Sequence, residues 1–542
     1  MRRVDLNSRQ KNNGQVLRTV WWMLAFVVIM IVIAIRVRLL AIPLERDEGE
    51  YAYAGQLLLQ GIPPYKLAYN MKFPGTYAAY ALIMSIFGQS IVGIHLGLLV
   101  VNMATVVVVF LIGRRLVDAT MGIAAATSYA VLSLSPAVLG LAGHATHFVV
   151  LPVLAGALLL LSPSQSKKLA FVSGVLFGTG LLMKQPALLF IFFGVGYLFY
   201  RDWRARVDLK QVLFRNALFI SGSALSLGAT CLLLWWAGVF AKFWFWTVVY
   251  AHAYGSLISP SDGIQMLLNT GRGIVSSGWP LWVLAALGVI AALGDKSIRR
   301  RAIFLFGLLM FSVLALCAGF YFRQHYFILV LPGISLMAGA AVASAANFCS
   351  RLSRSWRVLP FVVFGGASIL PLLAERAVFF APDPVSACRK VYGVNPFPEA
   401  VRIAEYLQKH TTSYDRIAVI GSEPEIYFYS HRRSATGYIY TYGLMEPQKD
   451  ASQMQREMIQ EIEAVRPKYL ILVAVSTSWL KQPNSETLIF DWLEKYSAED
   501  FTLTGLVNIV SRERTEYYVP LSVNPETIQL SRYYVLIYER KA

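Results

Sequence analysis

The sequence predicts a mainly α-helical, multi-pass membrane protein with a small α/β domain towards its C-terminal end. Three observations carry this. The 542 residues are 56% hydrophobic and only 15% charged, whereas a soluble globular chain is about half apolar and a quarter charged. Apolar runs recur at close to the ~20 residues that span a hydrocarbon core. Near Phe379 the long runs stop, and short apolar stretches alternate with polar helical patterns. Mean hydropathy is +0.53. A soluble fold cannot bury that much apolar surface, so lipid is the natural solvent of the first part.

The apolar runs lie near 19–43, 91–112, 119–138, 146–161, 169–184, 186–200, 213–238, 275–294, 302–320, 326–346 and 358–375, about eleven spans. The first is too long for the apolar core of a signal peptide and lacks a small-residue cleavage site. The short connections GRRLVD (113–118), SPSQSKK (162–168), YRDWRARVDLK (200–210), GDKSIRRR (294–301) and SRLSRSWR (350–357) are basic. If the spans alternate, these connections share one side with the basic N-terminal segment, and the positive-inside rule makes that side cytoplasmic. Eleven crossings then put the C-terminal part outside. The formal charge of +18 has the same origin, together with attraction to anionic membrane lipids, and calls for no nucleic acid. Four cysteines, three of them in or beside apolar runs, form neither a disulfide framework nor a metal knuckle.

The expected division is a polytopic domain over 1–378 and an extracytoplasmic α/β domain over 379–542. In the latter, DRIAVIGS (415–422), KYLILVAV (468–475) and YYVLIYER (533–540) read as strands. EPEIYFYS reads as a helix start with Ser422 as N-cap, and SQMQREMIQEIEAVR (452–466) as a helix. No phosphate-cradling glycine loop occurs.

The outside connections are long. In 239–274, FAKFWFWTVVYAHAYGS reads either as a helix lying in the interface or as an ordinary aromatic belt. In 44–90, RDEGEYAYAGQLLLQG reads as an amphipathic helix beside the membrane with Asp47 and Glu48 at its start, followed by IPPY and KFPG. Acidic residues suit a helix N-terminus for dipole reasons alone. An acidic pair and a lone lysine in one loop above a bilayer also suit transfer from a lipid-anchored phosphate. Such a reaction needs a base for the acceptor hydroxyl, for which Asp47 serves, and positive charge on the departing phosphate, for which Lys72 serves. The lipid anchor replaces a nucleotide handle.

At these residues the chain resembles the C-type (GT-C) multi-spanning glycosyltransferases that use polyprenyl-phosphate sugars, the protein O-mannosyltransferase and aminoarabinose-transferase group (family 39-like). The resemblance is carried by RDEGEYAYAGQLLLQGIPPY, KFPG, LLMKQPALL (181–189) and FYFRQHYFILVLPG (320–333). It implies a GT-C fold with outside-facing interfacial helices, a polyprenyl-phosphate sugar donor, and a lipid, glycan or protein hydroxyl as acceptor. It further implies inversion by one direct displacement, with Asp47 as base, Glu48 as its acidic neighbour, and Lys72 on the donor phosphate. Some relatives carry a Glu before that lysine as a metal ligand. Here Asn70 and Met71 stand there, so a metal-independent enzyme without cofactor is expected.

Other candidates have two readings each. Arg323, His325 and Tyr326 open a late span on the outer face, as phosphate ligands or as headgroup anchors. Lys184, in a tight hairpin, steadies the sugar phosphate or snorkels. His144 and His147 share a helical face and touch substrate or hydrogen-bond at a span mouth. His252 lines an acceptor route or belongs to the loop, and Tyr51 stacks on a sugar or packs. The rival function is a transporter or flippase of an envelope lipid or glycan, but no matching halves are visible and the charges cluster at one face. A bacterial inner membrane is the expected location.

Overall fold

A computed structural model describes residues 2–164, 166–352 and 354–541. The first part is a bundle of helices: α1 (Arg2–Arg38), α2 (Arg46–Leu59), α3 (Gly75–Phe87), α4 (Ile91–Leu116), α5 (Ala119–Leu132), α6 (Ala145–Leu160), α7 (Lys167–Met183), α8 (Leu188–Arg204), α9 (Leu209–Trp236), α10 (Pro260–Ser277), α11 (Trp279–Gly294), α12 (Ala302–Leu316), α13 (Leu331–Cys349) and α14 (Leu359–Ala374). Helices cover all eleven apolar runs. By length and hydropathy four can cross a membrane: Thr19–Arg38 of α1, α4, α9 and α13. The bent pair α10–α11, angled by 101°, would make a fifth. The sequence pattern missed α10. Its charged and polar residues hide an apolar stripe of Ile264, Leu268 and Val275, which stays exposed.

Tight helix contacts follow the small residues. Gly174 and Gly178 of α7 lie so close to the backbone of Phe219 and Ser223 on α9 that a Cβ at either would clash with a carbonyl oxygen.

The helix α2 forms where the sequence asks for it. Glu45 is the N-cap, and a reciprocal capping box joins it to Glu48. Eleven of the fourteen residues of this helix are buried within the protein. One face meets α3. The other meets a short helix from the far end of the chain, α16 (Glu425–Ser430), at Gly49. An added Cβ there would sit 2.6 Å from the Glu425 backbone nitrogen, so only glycine permits the approach.

Residues 416–540 build a six-stranded sheet: β1 (Arg416–Ile420), β2 (Arg433–Ser434), β3 (Tyr469–Ala474), β4 (Phe501–Ile509), β5 (Thr515–Tyr518) and β6 (Tyr534–Arg540), in the order β2-β1-β3-β6-β4-β5. β2, β1 and β3 are parallel, and the rest pair antiparallel. Helices Phe397–His410 (α15), Ala451–Val465 (α17) and Leu488–Asp500 (α18) accompany it. The three strands read from sequence are present. The hairpin β4–β5 was missed; β4 also carries a bulge at Leu503/Gly505 in its pairing with β6. Ser422 is not a helix cap. Its hydroxyl donates to the Ser478 carbonyl at 2.6 Å, and Pro424 precedes α16 instead.

Candidate active site

Asp47 is the second residue of α2, held at the helix start where the backbone dipole favours a carboxylate. Its Oδ1 accepts from Lys72 Nζ at 2.8 Å and from the Tyr440 hydroxyl at 3.1 Å. Oδ2 faces His144 Nδ1 at 3.6 Å and His325 Nε2 at 3.9 Å, beyond hydrogen-bond length. The two imidazoles stack with centroids 4.0 Å apart and planes 8° from parallel. Burial pushes Asp47 up, but Lys72 and the imidazoles override it and hold the carboxyl well below its usual range.

Lys72 also donates to Glu50 Oε2 at 2.8 Å. Glu50 is further bound by Asn70 Nδ2 (2.8 Å) and by the Tyr77 hydroxyl (2.6 Å). Burial works against the ammonium, but the two carboxylates hold Lys72 well above its ordinary value. Lys72 is thus held between the Asp47 and Glu50 carboxylates.

Asp47 opens onto a cavity of about 830 Å³. Its wall includes Tyr51, Lys184, Arg323, His325 and Tyr326, all expected at the site, together with Tyr250, Tyr254, Tyr321, Tyr440, Tyr442 and Glu446. Among the described residues Lys184 and Arg323 form no ion pair. The Lys184 ammonium rests 3.7 Å from the Tyr326 ring centroid. Burial, with repulsion from Lys72 and Arg323, brings it down to about 7. Arg323 donates to the Tyr254 hydroxyl at 3.5 Å and lies 5.6 Å from the Tyr321 ring centroid. Two cations without counter-ions in a half-buried cavity call for an anion.

Several expected residues stand elsewhere. Glu48 points away from the cavity, where it accepts from the Gly143 amide at 2.6 Å and meets His95 Nε2 at 3.2 Å. It fixes the α5–α6 loop that carries His144. His147 is buried in α6 behind His144 and does not line the cavity. His252 is exposed to the outside of its loop.

Tyr440, Tyr442 and Glu446 were missed because they lie some 390 residues downstream of Asp47, with |i−j| of 393 for the Asp47–Tyr440 bond. Arg46 was missed although it sits inside the motif. It donates to the Ser422 carbonyl (2.6 Å), Glu423 (2.7 Å) and the Tyr442 hydroxyl (2.9 Å), and so ties α2 to the C-terminal part.

One group of side chains has metal-ligand character. Donor atoms of Asp47, His144 and His325 lie within 4.8 Å of one another, a two-imidazole, one-carboxylate set that suits a divalent ion. Lys72 takes Oδ1 of that carboxylate while Oδ2 faces both imidazoles, and Lys184 and Arg323 bring further positive charge to the same cavity.

The fold is the GT-C fold, as likeness to solved structures shows. Residues 72–236 match the family model of dolichyl-phosphate-mannose-protein mannosyltransferases. Among solved structures the chain is similar to ArnT from Cupriavidus metallidurans in the apo state, at 15% identity and a TM-score of 0.56, covering 96% of this chain and 98% of that one. The same protein bound to undecaprenyl phosphate gives 13% and 0.55, covering 97% and 98%. The archaeal oligosaccharyltransferase AglB from Archaeoglobus fulgidus, in complex with an inhibitory peptide and a dolichol-phosphate, gives 12% and 0.52, covering 94% of this chain and 75% of that one. A comparison with curated proteins found no match.

Proposed function

We propose that the protein is an integral membrane glycosyltransferase that moves a sugar from a polyprenyl-phosphate donor to a hydroxyl of a lipid, glycan or protein on the extracytoplasmic face. The observation that carries this is Asp47 Oδ2. It is ionised, free of hydrogen bonds, and opens onto a cavity with two unpaired cations. The fold of structures bound to undecaprenyl phosphate and dolichol-phosphate supports it.

Asp47 takes the acceptor's proton while the acceptor oxygen bonds to the anomeric carbon from the face opposite the phosphate. The carbon–oxygen bond to phosphate breaks, its electron pair leaves on the phosphate, and the anomeric configuration inverts. Lys184 and Arg323 balance the charge that develops there. A carboxylate held this low is a weak base, so the proton moves late, once the acceptor oxygen has begun to bond and become acidic. An incoming phosphate competes for Lys72, and loosening that ion pair raises the basicity of Asp47 when it is needed.

The direct test is mass spectrometry of lipids, glycans and envelope proteins from cells with and without the gene. A difference of one sugar on one acceptor class is expected, and identical profiles would refute the reading. A bacterial inner membrane with a cytoplasmic N-terminus is part of the proposal, and cysteine accessibility at the α8–α9 connection checks it.

Two further results are expected. Lys184 is a cation only below about 7. In the free enzyme kcat/KM for donor therefore falls about tenfold per pH unit above that point. Glu45 and Glu446, both raised to about 7 by burial, ionise over the same range and shape the rising limb. Lys184→Arg keeps its charge and should abolish only the falling limb. Transfer should also survive exhaustive chelation, with added Mn²⁺ or Zn²⁺ giving no stimulation, because three cations already surround Asp47. Loss on chelation and recovery with one metal would assign Asp47, His144 and His325 as its ligands instead.

A further inference from the structure

We propose that Glu446 and Tyr250, beside the stacked pair Tyr254–Tyr321, form the subsite that holds the transferred sugar, and that this sugar presents free neighbouring hydroxyls to the Glu446 carboxylate. The inference rests on the donor reading above.

Three carboxylates line the cavity among the described residues: Glu45, Asp47 and Glu446. Glu45 is committed to capping α2, and Asp47 is bound by Lys72 and Tyr440. Glu446 is different. It ends the short helix Tyr442–Met445 in the C-terminal part, and its Oε2 accepts from the Tyr250 hydroxyl at 2.5 Å. Its Oε1 has no hydrogen-bond partner among the described residues. Once ionised, this group is acceptor-only, and its free oxygen matches sugar hydroxyls, which are donors. The aromatic faces match the apolar C–H faces of a pyranose. Tyr254 and Tyr321 stack with centroids 4.2 Å apart and planes 4° from parallel, and Tyr250 meets Trp246 edge-on at 5.0 Å.

Connectivity places the sugar here. Arg323, one of the two unpaired cations, rests on this same Tyr254–Tyr321 pair, and its charge is felt at Glu446. A phosphate on Arg323 carries its ester-linked sugar into the cavity that Glu446 and Tyr250 also line. Neither residue touches Asp47, so the subsite can fail while the base stays intact.

The test measures binding in nanodiscs of two probes, bare polyprenyl phosphate and polyprenyl-phosphate glucose or mannose. Wild type should prefer the glycosylated probe by about tenfold or more, the loss expected for a charge-assisted hydrogen bond. Glu446→Gln should bind the bare phosphate as wild type does and lose that preference. Tyr250→Phe should lose part of it. Retention of the preference in Glu446→Gln would overturn the proposal, and so would an equal loss for both probes, which marks Glu446 as structural. Wild type binding neither probe would refute the donor reading itself, a distinguishable result.

Discussion

Asp47→Asn should lower the rate of sugar transfer by about 10²- to 10⁴-fold, the range for a lost general base, or roughly 3–5 kcal/mol in the barrier. The substitution keeps the side chain's shape. Lys72 retains Glu50 at 2.8 Å and stays seated, and the Tyr440 hydroxyl can still donate to the amide oxygen. Donor binding should therefore change little, and the loss should appear in kcat. The measurement is single-turnover transfer beside a donor-binding isotherm. A variant within threefold of wild type would remove Asp47 from the chemistry. Loss of donor binding with unchanged chemistry would make it a structural partner of Lys72.

The second large effect is expected at Arg46→Ala. Arg46 is the bolt between α2 and the C-terminal part, and its partner Glu423 is fully buried. Removing the guanidinium leaves that carboxylate uncompensated, which costs about 3–5 kcal/mol. The buried acid Glu425 stands next to it, raised far above its ordinary value by burial and by Glu423, so no nearby group can take over the charge. The α16–α2 contact should open, Tyr440 should leave Asp47, and transfer should fall at least as far as stability. Limited proteolysis across 411–445 reads the opening directly. The double substitution Arg46→Met with Glu423→Leu removes both charges and should regain most of the stability, because a buried ion pair is often replaceable by apolar packing. If the single change leaves the tail protected and the enzyme active, the contact is decorative.

How far the sequence disclosed this arrangement depends on what each signal needs. The apolar runs and the change near Phe379 are local, and each corresponds to helices or to sheet. The capping box of α2 is local too, since Glu45 and Glu48 lie three residues apart. Asp47, Lys72, Lys184, Arg323, His144 and His325 were legible because a charge at the mouth of an apolar run is costly and invites a reason. What the chain did not disclose is long-range. Tyr440 and Glu446 sit in an ordinary tyrosine-rich stretch, and only folding brings them to α2. The pairing of Lys72 with Asp47 rather than with open cavity depends on Glu50 and Asn70 as well, a geometry no spacing reveals. Glu48 and His147 stand off the cavity for one shared reason: sequence places a residue on a turn of helix but not on its inward or outward side once a second layer covers it.

The contact of α16 on Gly49 and the Arg46 bond have a bearing on biogenesis. The bond from Tyr440 to Asp47 joins residues 393 positions apart, so a nascent chain that has threaded its first hairpins into the bilayer still has no closed pocket. The segment that carries Tyr440 must be made and fold against α2 before the Asp47 carboxylate acquires its hydroxyl partner.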